Sequence, residues 1–299
     1  MIETIKYKVI EWLHITNPVE NDFKYILDTY HFHPLDIDDC KSVKSLRPKV
    51  DIYIDYYFMN FHFPMFDKTN TFIEVRELKV FWGKNYLITL SKNHSGIKDL
   101  FDSEKNDSKM DVTCSDILLY NILDKLTKKT QNVVERVEDD VDECGRLIFN
   151  KKADKPIRRI SITQKNIIAL NTMFKPQLPL FSRLQNGSIE GFADNMGDYW
   201  GNILDHYQKI WDVIEDCGEL IRGYSTTFDS LQVNKTNEVI KILTLISSVL
   251  LPITFIASLY GMNIDLPFQN NINSFGIITF GMISVVLLMA GYFKYKDWI

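Results

Sequence analysis

Six small or polar residues, Asn237, Thr244, Ser247, Thr254, Ser258 and Gly261, recur at intervals of seven, three, seven, four and three. A helix through them would carry them on one face, with Ile240 and Leu251 completing the heptad positions. Their amide and hydroxyl oxygens accept hydrogen bonds without bringing charge. Such a row can line a path for a cation that keeps its water, because it accepts hydrogen bonds from the hydration shell without trapping the ion. A ring of carboxylates would bind the ion tightly and slow its release. Mg²⁺ is the cation most reluctant to dehydrate. The same spacing also serves small-residue packing between membrane helices, so the pattern alone leaves both uses open.

Two other clusters carry ligand-type side chains. In "ERVEDDVDE" Glu135, Glu138, Asp139 and Asp142 share one helical face. That is first a solvated face, and second a field that concentrates cations. "HFHPLDIDD" groups His31, His33, Asp36, Asp38 and Asp39. It lacks the glycine of an EF-hand loop and any zinc spacing, so it reads as the start of a helix. The sequence shows no P-loop, GxSxG, HExxH or Cys–His nucleophile pattern, so the chain reads as no enzyme and no ATP-driven pump. Cys40, Cys114, Cys144 and Cys217 are widely spaced and read as reduced thiols. A net charge of -5 over 299 residues argues against a nucleic-acid binder. The N-terminus has no basic segment followed by an apolar core, so no cleaved signal peptide is expected.

The elements that must position the polar row are long and apolar. No charge falls between Lys241 and Asp265, and none between Asp265 and Lys294. About 20 such residues cross the hydrocarbon core, so these are two expected transmembrane helices. Lys235 and Lys241 precede the first, Lys294 and Lys296 follow the second beside Trp298, and the connecting loop carries only Asp265. By the positive-inside rule both termini are expected in the cytoplasm, with "LYGMNIDL" at the outer end of the first span.

Upstream, "YKVIEWLHI", "DIYIDYYFMNFHF" and "EVRELKVFWGKNYLITL" read as strands, the last a hairpin turning at Gly83-Lys84-Asn85. "NPVENDFKYILDTY" has helical spacing, and "SEKNDSKMD" (103–111) reads as a loop. From Asp116 the pattern is helical, with one helix opened by Pro156 and ending before Pro176 and Pro179. The next begins near Gly191. Within it Ile203, Tyr207, Ile210, Ile214, Cys217, Ile221, Tyr224, Phe228 and Leu231 alternate steps of four and three, a seam for partner helices. No Gly or Pro stops this helix before the membrane, which predicts one helix of roughly 70 residues and an oligomer.

The run "TNEVIKILTLISSVLLPITFIASLYGMN" resembles the pore helix of the CorA magnesium transporters, whose hallmark is Tyr-Gly-Met-Asn, here Tyr260-Gly261-Met262-Asn263. The likeness includes Asn237, Lys241, Leu243, Thr244, Pro252 and Thr254. It extends to "HPLDIDD", "RPKVDIY" and "YLITL", so it covers essentially the whole chain. The resemblance implies a homopentamer in the lipid bilayer of the cell (inner or plasma) membrane, passing Mg²⁺, and also Co²⁺ or Ni²⁺, down their gradients. Asn263 would form the outer selectivity ring, with Gly261 and Met262 shaping its loop, and Asn237 the inner mouth. Ile240, Leu243 and Leu251 would form apolar constrictions. Thr244, Ser247, Thr254 and Ser258 would line the pore. Ile240 replaces the usual methionine and Ser258 the common glycine. The resemblance further implies closure by cytosolic Mg²⁺. Asn202 stands where an aspartate is expected, leaving Asp198 and Asp205 as the nearby acidic ligands. Two alternatives stay open: a related transporter preferring Zn²⁺ or Co²⁺, and a membrane-anchored metal sensor that conducts little.

The expected fold class is thus an α+β cytosolic domain, a very long stalk and pore helix, and a two-helix transmembrane region, assembled as a CorA-like funnel. Residues 1–115 are the α/β domain with a mixed sheet and 116–190 a cytosolic helical hairpin. Residues 191–263 are the stalk helix continuing as the first span. Residues 264–274 are the outer loop, 275–293 the second span and 294–299 a cytosolic tail.

Overall fold

The computed structural model describes residues 2–42, 45–107, 110–149, 154–263, 267 and 273–298. The chain divides into two units, Met1–Ser225 and Thr226–Ile299.

The first unit opens with β1 (Ile2–Lys6) and β2 (Glu11–Thr16), followed by α1 (Glu20–Tyr30) and α2 (Pro34–Lys41). Strands β3 (Lys49–Ile52), β4 (Tyr56–Phe66), β5 (Ile73–Gly83) and β6 (Tyr86–Ser91) complete a sheet in the order β1-β2-β6-β5-β4-β3. β2 and β6 are parallel and the other neighbours antiparallel, so the sheet is mixed. The stretch "YKVI", read as strand, is instead the turn between β1 and β2, where the Tyr7 amide donates to the Ile10 carbonyl at 2.9 Å. The turn at Gly83 joins β5 to β6 as its sequence predicts. Glycine is required there, since a Cβ would stand 2.4 Å from the Tyr86 ring. Pro64 cannot donate to a ladder, and it sits beyond the reach of β3, which pairs only with Tyr57–Asn60 of β4.

Strand alternation sorts the side chains into two layers. Leu13, Ile15, Phe58, Phe81, Ile88 and Leu90 form one core with Phe23, Ile26, Ile37 and Cys40 of α1 and α2. Trp12, Tyr57, Phe61 and Trp82 point the other way. That face is covered by α3 (Ser95–Asp107), α4 (Ser115–Phe149), α5 (Asp154–Phe174) and α6 (Leu178–Gln185). Trp12 meets Phe101 of α3 at 4.8 Å between ring centres, and Phe61 stacks on Phe181 of α6 at 5.8 Å. The Trp82 indole donates to Ser115 Oγ at 3.2 Å.

Two helical readings change. "SEKND" lies in α3 and not in a loop, because Ile97, Leu100, Phe101 and Glu104 are all buried at helical spacing. The helical stretch after residue 115 adds a third helix to the expected pair: α4 and α5 pack together, Arg159 of α5 lying 2.6 Å from Asp140 and Glu143 of α4, and α6 follows. α6 forms across Pro179, whose missing N–H falls in the first turn, where no intrahelical partner exists.

The long helix α7 (Gly197–Tyr260) has 64 residues. It begins after the turn segment in which Gly191 has φ 75 and Asn195 has φ 61. In the first unit its predicted seam is buried at Ile203, Tyr207, Ile210, Ile214, Cys217 and Ile221. Tyr207 packs on Phe174 at 5.1 Å and on Phe181 at 4.4 Å. Tyr224 lies over Gly145 of α4, where a Cβ would be 2.8 Å from its ring.

The second unit holds α7 from Thr226 onward and α8 (Ser274–Tyr295). Each helix contains a stretch long and apolar enough to cross a membrane. Of the loop between them, 264–266 (with Asp265) and 268–272 lie outside the described residues. At its far end α8 carries exposed Lys294 and Lys296, and Trp298 folds back to stack on Phe293 at 5.8 Å.

Candidate functional site

The polar row can be placed by asking which side of α7 its own chain covers. In the second unit Leu245, Ser248, Val249, Pro252, Ile253, Ile256 and Tyr260 are half-buried. At about 100° per residue these fall on one side of the helix. α8 has a similar covered row in Ile278, Met282, Val285, Met289 and Phe293. Asn237, Ile240, Leu243, Thr244, Ser247, Leu251, Thr254 and Ser258 are all exposed, and the same rotation puts them on the opposite side of α7. The sequence-predicted row therefore forms one continuous face that the chain itself leaves uncovered.

On that face the two threonines act as acceptors toward the outside. Thr244 Oγ1 donates to the Ile240 carbonyl and Thr254 Oγ1 to the Leu250 carbonyl, each at 2.8 Å. With the hydroxyl proton committed to the helix, each oxygen presents lone pairs outward. Lone pairs suit the hydrogens of a cation's hydration shell and repel an anion.

α7 ends where the motif begins. The Gly261 amide donates to the carbonyls of Ala257 at 3.0 Å and Ser258 at 3.2 Å, and the Met262 amide donates to Leu259 at 3.3 Å. The last turn thus tightens from four-residue to three-residue closure. A Cβ on Gly261 would lie 3.3 Å from the Ala257 carbonyl oxygen, closer than a side chain sits comfortably. Met262 is half exposed and Asn263 is exposed just past the final closing bond. The Tyr260 hydroxyl reaches the Pro267 carbonyl at 3.5 Å.

In the first unit Asp198, Asn202 and Asp205 share one face of α7 at i, i+4 and i+7, all exposed. The Asn202 amide donates to the Tyr120 hydroxyl at 3.1 Å, and Tyr120 packs against Tyr199. Among the described residues no three His, Cys, Asp or Glu side chains converge as they would around a metal ion. Glu135, Glu138, Asp139 and Asp142 are exposed along α4, a solvated face. The His-Asp cluster is a helix start: His33 caps α2, its Nδ1 accepting from the Leu35 amide at 3.3 Å, and Pro34 occupies the first turn. Asp36 is instead buried, accepting from Tyr53 at 3.1 Å and Tyr56 at 2.8 Å. Burial raises its pKa against the lowering effect of those two hydroxyls.

Sequence reasoning missed Asp116. This buried carboxylate accepts from the amides of Phe192 at 2.9 Å and Ala193 at 3.2 Å, fixing the turn that leads into α7. Burial raises its pKa, while the two amides hold it down. The two amides lie 76 and 77 positions away, so no local spacing could mark it.

Comparison with known proteins accords with this geometry. The family model described as "CorA-like Mg2+ transporter protein" matches residues 7–295. The cobalt/magnesium transport protein CorA of Thermotoga maritima is 25% identical over 96% of this chain and 83% of its own. The zinc transport protein ZntB of Yersinia enterocolitica is also 25% identical, over 96% of this chain and 88% of its own. The complete structure of the CorA magnesium transporter of Methanocaldococcus jannaschii shares the fold with a TM-score of 0.84, at 18% identity, covering 99% of this chain and 94% of that one. An α/β first unit, a long helix with an uncharged polar face and a second apolar helix, under a model spanning nearly the whole sequence, make this chain a member of the CorA-like Mg²⁺ transporter family, divalent-cation transporters and not enzymes.

Proposed function

We propose that the chain conducts hydrated divalent cations passively, Mg²⁺ first and Co²⁺ and Ni²⁺ with it, as a homopentamer in the cell membrane with both termini cytoplasmic. The observation that carries this is the uncovered face of α7, from Asn237 to Ser258, with Asn263 beyond it. A face that is polar and uncharged and offers amide and hydroxyl oxygens suits an ion that crosses with its water still bound. Five copies would close these faces around a path. Asn263 then stands at the outer mouth as the selectivity ring, shaped by Gly261 and Met262. Ile240, Leu243 and Leu251 narrow the path by dewetting. Thr244, Ser247, Thr254 and Ser258 hand the ion along, and Asn237 stands at the inner mouth. Cytosolic Mg²⁺ closes the path by binding near Asp198, Asn202 and Asp205, more weakly than a site with a third carboxylate would allow.

A second reading, Zn²⁺ or Co²⁺ preference, is favoured by one observation. The zinc transport protein shares the same fraction of identical residues with this chain as the cobalt/magnesium one, 25% each.

Flux of Mg²⁺, Co²⁺ and Zn²⁺ into proteoliposomes separates the readings. Wild type is expected to pass Mg²⁺ best, and Asn263→Ala to lose about tenfold or more of that flux. Unchanged Mg²⁺ flux in the variant removes the selectivity role, and Zn²⁺ outpacing Mg²⁺ selects the second reading. Native mass spectrometry of the same preparation should give five subunits; a stable dimer would contradict the assembly.

A further inference from the structure

One asparagine of the sequence, Asn186, is followed by glycine, and every other asparagine precedes a larger residue. The pair Asn186-Gly187 follows α6 directly. Asn186 is its C-cap, at φ -82 and ψ 6, and Gly187 turns left-handed at φ 74. Asn186, Gly187 and Ser188 are exposed, whereas Leu184 before them and Ile189 after them are buried. The buried pair anchors a turn whose own side chains stand in water.

The bonds that hold the turn lie at the surface. The Asn186 amide donates to the Ser182 carbonyl at 3.0 Å, but the Gly187 amide reaches the Leu184 carbonyl only at 3.4 Å, long for such a bond. The exposed end of a helix opens locally at little cost, and opening frees the Gly187 nitrogen. No side chain guards it, since nothing lies within 4 Å of where a Cβ on Gly187 would stand. Asn186 Oδ1 accepts from the Ser188 amide at 3.0 Å. A donor on that oxygen draws electrons from Cγ and favours attack on the carbon.

We propose that Asn186 is a site of spontaneous deamidation, with solvent water as the co-reactant. The Gly187 backbone nitrogen attacks Asn186 Cγ. An N–Cγ bond forms, the Cγ–Nδ2 bond breaks, and ammonia leaves with the proton that the Gly187 nitrogen gives up. The product is a five-membered succinimide, whose closure is favoured because both reacting atoms belong to adjacent residues. Water then adds to a ring carbonyl and breaks its bond to nitrogen. Opening at Cγ gives aspartate; opening at the main-chain carbonyl gives isoaspartate, with the chain running through Cγ. Nothing is oxidised or reduced.

Either product places a new negative charge at the C-terminal end of α6, the end where the helix dipole disfavours it. Isoaspartate also adds a methylene to the backbone between Gln185 and Ile189. Gln185 lies against the first turns of α7: a Cβ on Gly197 would stand 3.5 Å from its carbonyl oxygen, and one on Gly201 3.2 Å from its Nε2. The conversion is therefore a chemical clock beside the start of the long helix. It rests on the first unit alone and holds whichever cation the protein passes.

The test is peptide mapping of the intact protein in detergent, kept folded in mildly alkaline buffer, beside a sample denatured by urea in the same buffer. The tryptic peptide that starts at Leu184 should gain the mass difference between an amide and a carboxylic acid. Fragment ions should place the gain at residue 186, with isoaspartyl and aspartyl forms separating on chromatography. The folded rate should lie within about tenfold of the denatured rate, as for a turn that opens locally. Asn186→Gln should melt as wild type does, its side chain being exposed, and should lose the gain, because its longer side chain must close a six-membered ring. A gain that persists in that variant would put the chemistry on another residue and overturn the site. A folded protein that stays unconverted, whatever the denatured sample does, would overturn it as well.

Discussion

The two units of this chain solve opposite problems with polar groups. In the first, key polar side chains are buried and tie distant parts of the chain together. Asp116 holds two amides, and Gln177 both accepts from and donates to the His62 backbone at 3.0 Å. In the second, the polar groups of the row are uncharged and lie on an uncovered face, where Thr244 and Thr254 turn their hydroxyl protons onto their own helix. The first unit is therefore specified by contacts it makes with itself. The second leaves one side of its long helix uncovered by the chain itself.

The largest expected effect tests this contrast directly. Trp82 is fully buried, and Trp82→Ala should cost the first unit about 3–5 kcal/mol. Leu251 is exposed on the long helix, and Leu251→Ala should leave the melting midpoint of that unit where it was while altering flux. Equal destabilisation by the two would erase the distinction.

Acid should next act on the first unit alone. Burial lowers the pKa of His14 to about 4 and that of His94 to about 3. Both rings are neutral when folded and take up a proton on unfolding, so the unfolded state binds more protons between the folded values and about 6.5. Stability is therefore full above about pH 6.5 and falls as pH drops toward 4, each ring contributing on the order of 3 kcal/mol. Melting curves from pH 7 to 4.5 should show the decline, and His14→Gln should flatten it. A variant with the same slope as wild type would clear His14 of the effect.

The smallest effect bridges the units. Asp205→Ala should leave folding untouched, since the side chain is exposed, and should shift inhibition of flux by internal Mg²⁺ to higher concentration, several-fold. Superimposable inhibition curves would remove Asp205 from the regulatory site.

Much of this was legible in the sequence because it is local. The two apolar runs, the six-residue polar row and the Gly83 turn each depend on spacing within a few turns or a single loop. The seam from Ile203 to Ile221 is buried as its heptads predict. The misreadings are also local in origin. "SEKND" is polar enough for a loop, but its helix is held by Phe101 and Glu104, buried beneath it. "YKVI" has strand composition, yet the chain must turn there for β1 to pair with β2.

By itself, then, the sequence determined where charge is absent and which residues share a helical face, because periodicity needs only the chain's own geometry. Only the tertiary structure decided which side of α7 stays open, that Asp116 anchors its entry, and that β2 and β6 pair in parallel. Each of these joins groups far apart along the chain, as Asp116 and Phe192 are by 76 positions. Such pairings are selected by burial and hydrogen-bond satisfaction across the whole fold, which no local pattern encodes.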